Sequence, residues 1–184
     1  MNTPSGISTG TLYGLAWLTV EGRGSFQNSP ELKDLVREGL SQGRSRMVLD
    51  LQRCSGMDST FMGMLSCLAG KLETAGGSLH VVNAAGKNAD LLRGLGLDEV
   101  FIVEEGMALI ELGAAALPGP VEVGQALAMV PKSPCTPQNQ AEICLEAHEA
   151  LSQLLPLNAD KFRDVVALMR QKTLAPEVTS KASH

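Results

Sequence analysis

Apolar residues along this chain come in two forms: short continuous runs, and stripes at three- and four-residue spacing. The first predict buried strands and the second amphipathic helices. Leu12 to Glu21 is apolar and β-compatible, broken at Gly14, and reads as one bent strand or two short ones. Gly22-Arg23-Gly24 reads as a turn. Asn28-Ser29-Pro30 then places a capping side chain before a proline near the first helical position. Leu32, Leu35, Val36 and Leu40 supply the buried stripe of that helix, and Gly39 and Gly43 mark its fraying end. Arg46 to Leu51 reads as a strand inside a sheet covered on at least one face. Arg53 to Met57 is expected to be a short loop. Asp58 and Ser59 cap a helix carrying Phe61, Leu65, Leu68 and Leu72 on one face, and Gly76-Gly77 ends it. Ser78 to Val82 is the next strand. Asn83 to Lys87 is a loop leading into a helix through Leu91, Leu92 and Leu95, which Gly96 breaks. Val100 to Val103 is a short strand, and Met107 to Ala116 a further helix after Glu104-Glu105-Gly106.

Strand and helix alternate from residue 46 onward, after an N-terminal strand region. That order predicts an α/β domain over 1–116, with right-handed crossovers and helices packed against a central mixed sheet. The pattern changes at 117–140, where Pro118, Pro120, Pro131, Pro134 and Pro137 predict a mostly extended linker. A C-terminal helical hairpin is expected over 141–174. Its first helix runs from Ala141 to Leu155 and ends at Pro156. Asn158 caps the second, where Phe162, Val165, Val166 and Met169 form the stripe. Such a hairpin cannot bury its own apolar faces, so it should dock on the α/β domain or on another subunit of a homo-oligomer. A flexible tail, 175–184, is expected to follow. No internal repeat is visible.

Composition narrows the picture. Hydrophobic residues make up 44% and charged residues 19%, a globular balance, while aromatics at 3% leave the core to aliphatic side chains and Met. The net charge of -5, with no Lys/Arg block, argues against a nucleic-acid partner. Cys54, Cys67, Cys135 and Cys144 form no Cys-x-x-Cys pair and have no histidine at zinc-ligand spacing, so they read as reduced thiols and no metal is expected. The N-terminus lacks a basic segment followed by an apolar one, and no apolar run reaches membrane-spanning length. The expectation is a cytoplasmic protein without membrane insertion.

Motifs for enzyme chemistry fail on inspection. Gly86-Lys87 resembles the end of a phosphate-binding loop, but Val81 stands where its first glycine belongs and Asn88 where Ser or Thr should be. Gly22-x-Gly24 lacks the third glycine of a dinucleotide fingerprint. His80, His148 and His184 fall in no Ser-His-Asp or Cys-His arrangement legible from sequence. Glu104-Glu105 reads as a solvated turn. No catalytic residue, no cofactor and no enzyme activity are expected.

The informative segment is Val48-Leu49-Asp50-Leu51-Gln52-Arg53-Cys54-Ser55-Gly56-Met57-Asp58-Ser59-Thr60-Phe61-Met62-Gly63. A hydrophobic strand ends, a loop follows, and an Asp-Ser-Thr triplet begins an apolar helix. Later come Ala75-Gly76-Gly77, the strand Ser78 to Val82, and Leu91-Leu92-Arg93-Gly94-Leu95-Gly96-Leu97. In this order the pieces resemble the STAS domain family, the anti-sigma-factor antagonists of bacterial partner-switching systems. The resemblance covers about residues 10 to 115 and is sharpest over 46 to 103.

The resemblance implies that Ser59 is the residue phosphorylated by a cognate anti-sigma factor serine kinase of the histidine-kinase-like ATPase fold. It also implies a PP2C-type phosphatase that resets the site, and a partner-binding face of Asp58, Ser59, Thr60, Met62 and Gly63. Phe61 departs from the first glycine of the family pattern and is expected to change the surface a kinase touches. Helix N-termini carry unpaired N–H groups and about half a positive charge, so they tolerate a phosphate. Phosphoserine adds about -1.5 to -2 charge at neutral pH, and Asp58 beside it favours repulsion of a partner. Ser55, in the loop, and Thr60, turned toward the helix, are weaker acceptors. Asp58 or Ser59 acting purely as a cap is the simpler alternative. Met57, Met62 and Met64 suit either an adaptable partner surface or core filling. STAS domains also resemble constitutive accessory subunits of ABC-type lipid transporters and scaffolds of stress-signalling complexes. A small-molecule binder at the strand ends is a lesser alternative.

Overall fold

The structure, a computed structural model, describes residues 5–12, 15–104, 125–132 and 134–174. The apolar N-terminal stretch forms two strands, β1 (Gly6–Leu12) and β2 (Leu15–Gly24), paired antiparallel with Ile7 opposite Val20 and Thr9 opposite Leu18. From β2 the chain runs through α1 (Ser29–Ser41) into β3 (Arg46–Asp50), then β4 (Cys54–Met57) and α2 (Ser59–Thr74). β5 (Ser78–Val82), α3 (Lys87–Arg93), a single 3-10 turn at Leu97–Glu99 and β6 (Ile102–Glu104) follow. The sheet order is β6-β5-β3-β2-β1-β7, with β4 paired to β2 off that path, which makes a seven-stranded mixed sheet. β2, β3, β5 and β6 run parallel and require helical crossovers; the two pairs made by β1 are antiparallel.

The α/β class expected from the strand–helix alternation is the one observed, with local departures. Residues expected as a loop before the motif become β4. Its ladder with the end of β2 (Gly22 opposite Cys54, Gly24 opposite Met57) draws the expected Gly22-Arg23-Gly24 turn into a strand. A bulge between Gly22 and Arg23, with Gly22 at φ 70°, lets the two short segments meet. The expected helix 107–116 lies outside the described residues. Within the Pro-rich span, Gln125–Met129 forms β7 on the outer edge of β1, satisfying backbone groups that an edge strand leaves open.

Two C-terminal helices pack together: α4 (Pro137–Leu154) and α5 (Pro156–Leu174). α4 starts at Pro137, before the expected Ala141, because Thr136 caps it by accepting the Asn139 N–H at 3.1 Å. Asn158, expected as the cap of α5, instead lies inside it and is buried, donating its Nδ2 to the carbonyls of Leu95 (3.1 Å) and Leu151 (3.0 Å).

The main core joins one sheet face to the helices. Leu18 and Val20 of β2, Met47 and Leu49 of β3 and Val81 of β5 meet Leu32 and Val36 of α1, Phe61, Leu65, Leu68 and Leu72 of α2, and Ile143, Leu151 and Phe162 of the hairpin. Burying an aliphatic side chain of this size stabilises by roughly 1.5–3 kcal/mol. The hairpin therefore shares the core of the α/β domain. Leu15, Val48 and Val82 form a smaller cluster, with Trp17 packed against it.

Candidate functional site

The Asp-Ser-Thr triplet begins α2 where β4 delivers the chain from the sheet. Asp58 is extended (φ -96°, ψ 170°), and its N–H donates to the Gly24 carbonyl at 3.0 Å. Its carboxylate caps the helix: Oδ1 accepts from the Phe61 N–H at 2.9 Å, and Oδ2 accepts from the Phe26 N–H at 3.0 Å. One side chain thus closes the helix N-terminus and ties down the loop before α1. The cap belongs to Asp58, which leaves the Ser59 hydroxyl for another partner.

That partner is on the hairpin. Ser59 Oγ lies 2.9 Å from Nε2 of His148 on α4. The opposite ring nitrogen, Nδ1, is 2.7 Å from the Cys144 carbonyl oxygen, which only accepts, so Nδ1 carries a proton. In the neutral tautomer Nε2 then accepts from the Ser59 O–H. Cys144 Sγ sits 3.5 Å from Nδ1 and 3.6 Å from Thr60 Oγ1. Phe162 of α5 packs edge-on against the imidazole with centroids 5.3 Å apart, which helps hold the ring in place.

Electrostatics at this junction are coupled. Burial alone would push the His148 pKa down. Hydrogen bonds to the Cys144 thiol and carbonyl, with the charges of Cys144 and Asp58, outweigh it and leave the imidazole above its ordinary value. The hydrogen bond from His148 pulls the Cys144 thiol below its ordinary value, against the opposing effect of burial. On α2, burial, reinforced by Glu146, pushes the Cys67 thiol up to about 11.

The remaining motif residues divide by helical position. Ser59 and Asp58 are half-buried. Thr60 (6% exposed) faces Cys144, Met62 (4%) belongs to the core, and Gly63 lies directly under α4. A Cβ at Gly63 would sit 2.2 Å from the Ala147 carbonyl oxygen and 2.9 Å from the Ala147 Cα, so this close approach of helix backbones requires glycine. Met57 and Met64 are core residues as well. Phe61, expected to alter the kinase-facing surface, is fully buried. Its ring lies under Gly24, where an added Cβ would come within 2.8 Å of it, so it acts in the core. His80 is buried in β5, with Nε2 2.8 Å from Ser78 Oγ.

The hairpin grips the α/β domain at three further points. Glu146 of α4 takes Lys33 of α1 (2.6 Å) and Lys71 of α2 (2.9 Å), one on each carboxylate oxygen. The Cys67 thiol donates to the Glu146 carbonyl at 3.5 Å. Leu155, at the hairpin corner, rests against Gly96, whose φ of 72° and closeness to that side chain suit glycine. A cavity of about 560 Å³ opens beside the site, lined by Phe26, Thr60, Ala141, Cys144, Met169 and Lys172 among others. The Ser59–His148 pair escaped the sequence reading because 89 residues separate its members. The only local trace of it is the spacing of Cys144 and His148, which puts both on one helical face.

Among the described residues no group of His, Cys, Asp and Glu could hold a metal ion, and no helix is long and apolar enough to cross a membrane. The family model described as "Mlab, STAS domain" matches residues 16–109. Among solved structures, the chain is similar to TM1081 of Thermotoga maritima, a proposed anti-sigma factor antagonist. The identity is 17%, over 60% of this chain and 92% of that one, with a TM-score of 0.51. The anti-sigma factor antagonist SpoIIAA in its unphosphorylated form is 14% identical over 55% of this chain and 88% of its own, with a TM-score of 0.45. The murine anion transporter Slc26a9 is 20% identical over 56% of this chain and 18% of its own, at a TM-score of 0.45. No curated protein matches the chain at a significant level. The hairpin, 137–174, lies outside the family match.

Proposed function

This chain belongs to the STAS domain family, and from that premise we propose that it is a phosphorylation-controlled protein-binding switch of the anti-sigma-factor-antagonist type. In this reading it binds an anti-sigma factor serine kinase through the start of α2 while Ser59 is unmodified, and lets go when Ser59 carries phosphate. It is a binding module in the cytoplasm and not an enzyme, and a PP2C-type phosphatase restores the unmodified form.

The observation that carries the reading is the division of labour at the helix start. Asp58 caps α2 with Oδ1 and ties the loop before α1 with Oδ2, so the half-buried Ser59 hydroxyl plays no part in closing the helix start. A phosphoryl group added there meets the positive end of the α2 dipole, which tolerates it. It also adds about -1.5 to -2 charge next to Asp58, enough to repel an acidic or closely packed partner. Incubation with ATP and a serine kinase of the histidine-kinase-like ATPase fold, followed by site-resolved mass spectrometry, tests this. Phosphate is expected on Ser59 and absent from Ser59→Ala, and its persistent absence from Ser59 refutes the reading.

A constitutive accessory or scaffolding role is a second reading. The hydrogen bond that ties the Ser59 hydroxyl to His148 favours it, because a residue used only as a contact needs no free hydroxyl. A partner set that is the same for wild type and Ser59→Asp in a pull-down would favour this reading over the switch.

A further inference from the structure

We propose that the α4–α5 hairpin is a built-in occupant of the α2 binding face, and that an external partner takes the face by displacing the hairpin with a helix of the same chemistry. The proposal rests on the functional reading above, because it concerns the same face. It adds the identity of the resident and the kind of helix that competes with it.

The hairpin covers the triplet side by side with its supporting residues. His148 holds the Ser59 hydroxyl at 2.9 Å, Cys144 faces Thr60, and the backbone of Ala147 lies against Gly63. Three of the five residues expected to meet a partner therefore meet α4 instead. A kinase must surround the acceptor hydroxyl, and the imidazole nitrogen stands 2.9 Å from it, with no room for a phosphoryl group between them. Modification of Ser59 and the closed hairpin exclude each other on volume.

Buried apolar packing in this contact is bordered by charge, the make-up of a helix seated in a groove. Along α4, the apolar residues Ile143, Ala147 and Leu151 are buried at the spacing of one helical face. Glu146 provides charge at its edge, between Lys33 and Lys71, each of whose side chains is at least a third exposed. Beyond Glu146 the groove between α1 and α2 continues as a cavity of about 170 Å³ floored by Val36, Leu40 and Leu68 and rimmed by Lys33, Arg37 and Lys71. The face is specified by a glycine that demands a small residue opposite and by two lysines that demand an acid beside it. The fitting partner is an amphipathic helix that places a Gly or Ala over Gly63 and a Glu or Asp between the lysines. Partners of this kind bind as helices in grooves, through anchors spaced by three and four residues.

Three native cysteines report on this in the full chain. Cys135 is exposed and calibrates the reagent, Cys54 is buried away from the hairpin and reports global unfolding, and Cys67 lies under the Glu146 carbonyl. Alkylation by iodoacetamide is followed site by site by mass spectrometry. Ala147→Glu puts a carboxylate against the α2 backbone at Gly63, and Glu146→Lys sets three cations together. Each is expected to raise the Cys67 rate by about tenfold or more relative to Cys135 once a pH–rate profile of each variant has corrected for thiolate fraction, with Cys54 still protected, because local opening then governs labelling. Adding Lys33→Glu and Lys71→Glu to Glu146→Lys is expected to return Cys67 toward the wild-type rate. Ser59→Glu is expected to open Cys67 as Ala147→Glu does.

An unchanged Cys67 rate in both hairpin variants overturns the proposal, and so does a rise in Cys54 that accompanies Cys67, since the hairpin is then one cooperative unit with the core. Cys67 protected in Ser59→Glu refutes the exclusion between modification and closure. None of these measurements uses a kinase. A chain that opens in these variants but never takes phosphate on Ser59 keeps this proposal and loses the switch. A chain that takes phosphate with Cys67 still protected does the reverse.

Discussion

Gly63→Ala gives opposite signs for an isolated helix and for one covered by α4. In the middle of a free helix, replacing Gly by Ala stabilises by about 1 kcal/mol, because the backbone loses less entropy. Here the new methyl would lie 2.2 Å from the carbonyl oxygen of Ala147, which is backbone and cannot rotate away. Restoring ordinary contact requires α4 to retreat by on the order of 1 Å, and a gap of that size forfeits a quarter to a half of the dispersion attraction along the contact. Ile143 and Leu151 each contribute about 2 kcal/mol of burial, and the Ala147 methyl somewhat less than 1 kcal/mol. The loss is thus roughly 1–2.5 kcal/mol. Misaligning the Ser59–His148 bond and the Glu146 pairs adds about 0.5–1 kcal/mol for each. Set against the helix gain, the net is a destabilisation of about 1–3.5 kcal/mol, close to the range for overpacking at a tight contact. Urea unfolding measures the net change, and hydrogen exchange over 137–174 locates it. A variant that is more stable than wild type by about 1 kcal/mol, with unchanged protection in α4, refutes the packing described for Gly63.

Two further outcomes follow from the same contacts. Hydrogen bonds and charges from Lys33 and Lys71 hold the Glu146 carboxyl below its ordinary value, in spite of burial acting the other way. A group depressed in the folded state stabilises above its unfolded pKa, and that stability is lost as pH falls through the folded value. The stability difference between wild type and Glu146→Gln is therefore expected to be full above about pH 4.5 and to vanish on further acidification; a difference that is flat from pH 7 to pH 3 contradicts the bridging role. Asp58→Ala removes the α2 cap and the tie to the Phe26 N–H together, so thermal unfolding is expected to show a loss of about 1–2 kcal/mol. Asp58→Asn, which keeps one acceptor oxygen, is expected to recover part of it, and equal losses for Ala and Asn would show that the cap is not what Asp58 supplies.

Local order was legible wherever neighbours along the chain decide the conformation. The stripe Phe61, Leu65, Leu68, Leu72 predicted α2, whose first turn Asp58 caps, and Ser78 to Val82 is β5 at the same bounds. The ordered set of apolar runs, glycines and the Asp-Ser-Thr triplet pointed to the family. These features depend on helical and strand periodicity and on capping, which act over a few residues. β4 was not legible, because Cys54–Met57 becomes a strand only through pairing with Gly22–Gly24. β7 was hidden for the same reason: β1 supplies its ladder from more than a hundred residues away.

Neighbouring residues were enough to mark the main helices and the longer strands and to put Asp58 and Ser59 at the start of an apolar helix. That the Ser59 hydroxyl turns to His148 and that Gly63 is a seat for α4 came from the packing of distant segments. Helix propensity and capping are summed over adjacent residues, whereas a hydrogen bond across 89 positions depends on where two separately formed helices come to rest. That placement is set by shape and charge on surfaces assembled from distant segments, Gly63 and Gly96 beneath the hairpin and Lys33 and Lys71 on either side of Glu146.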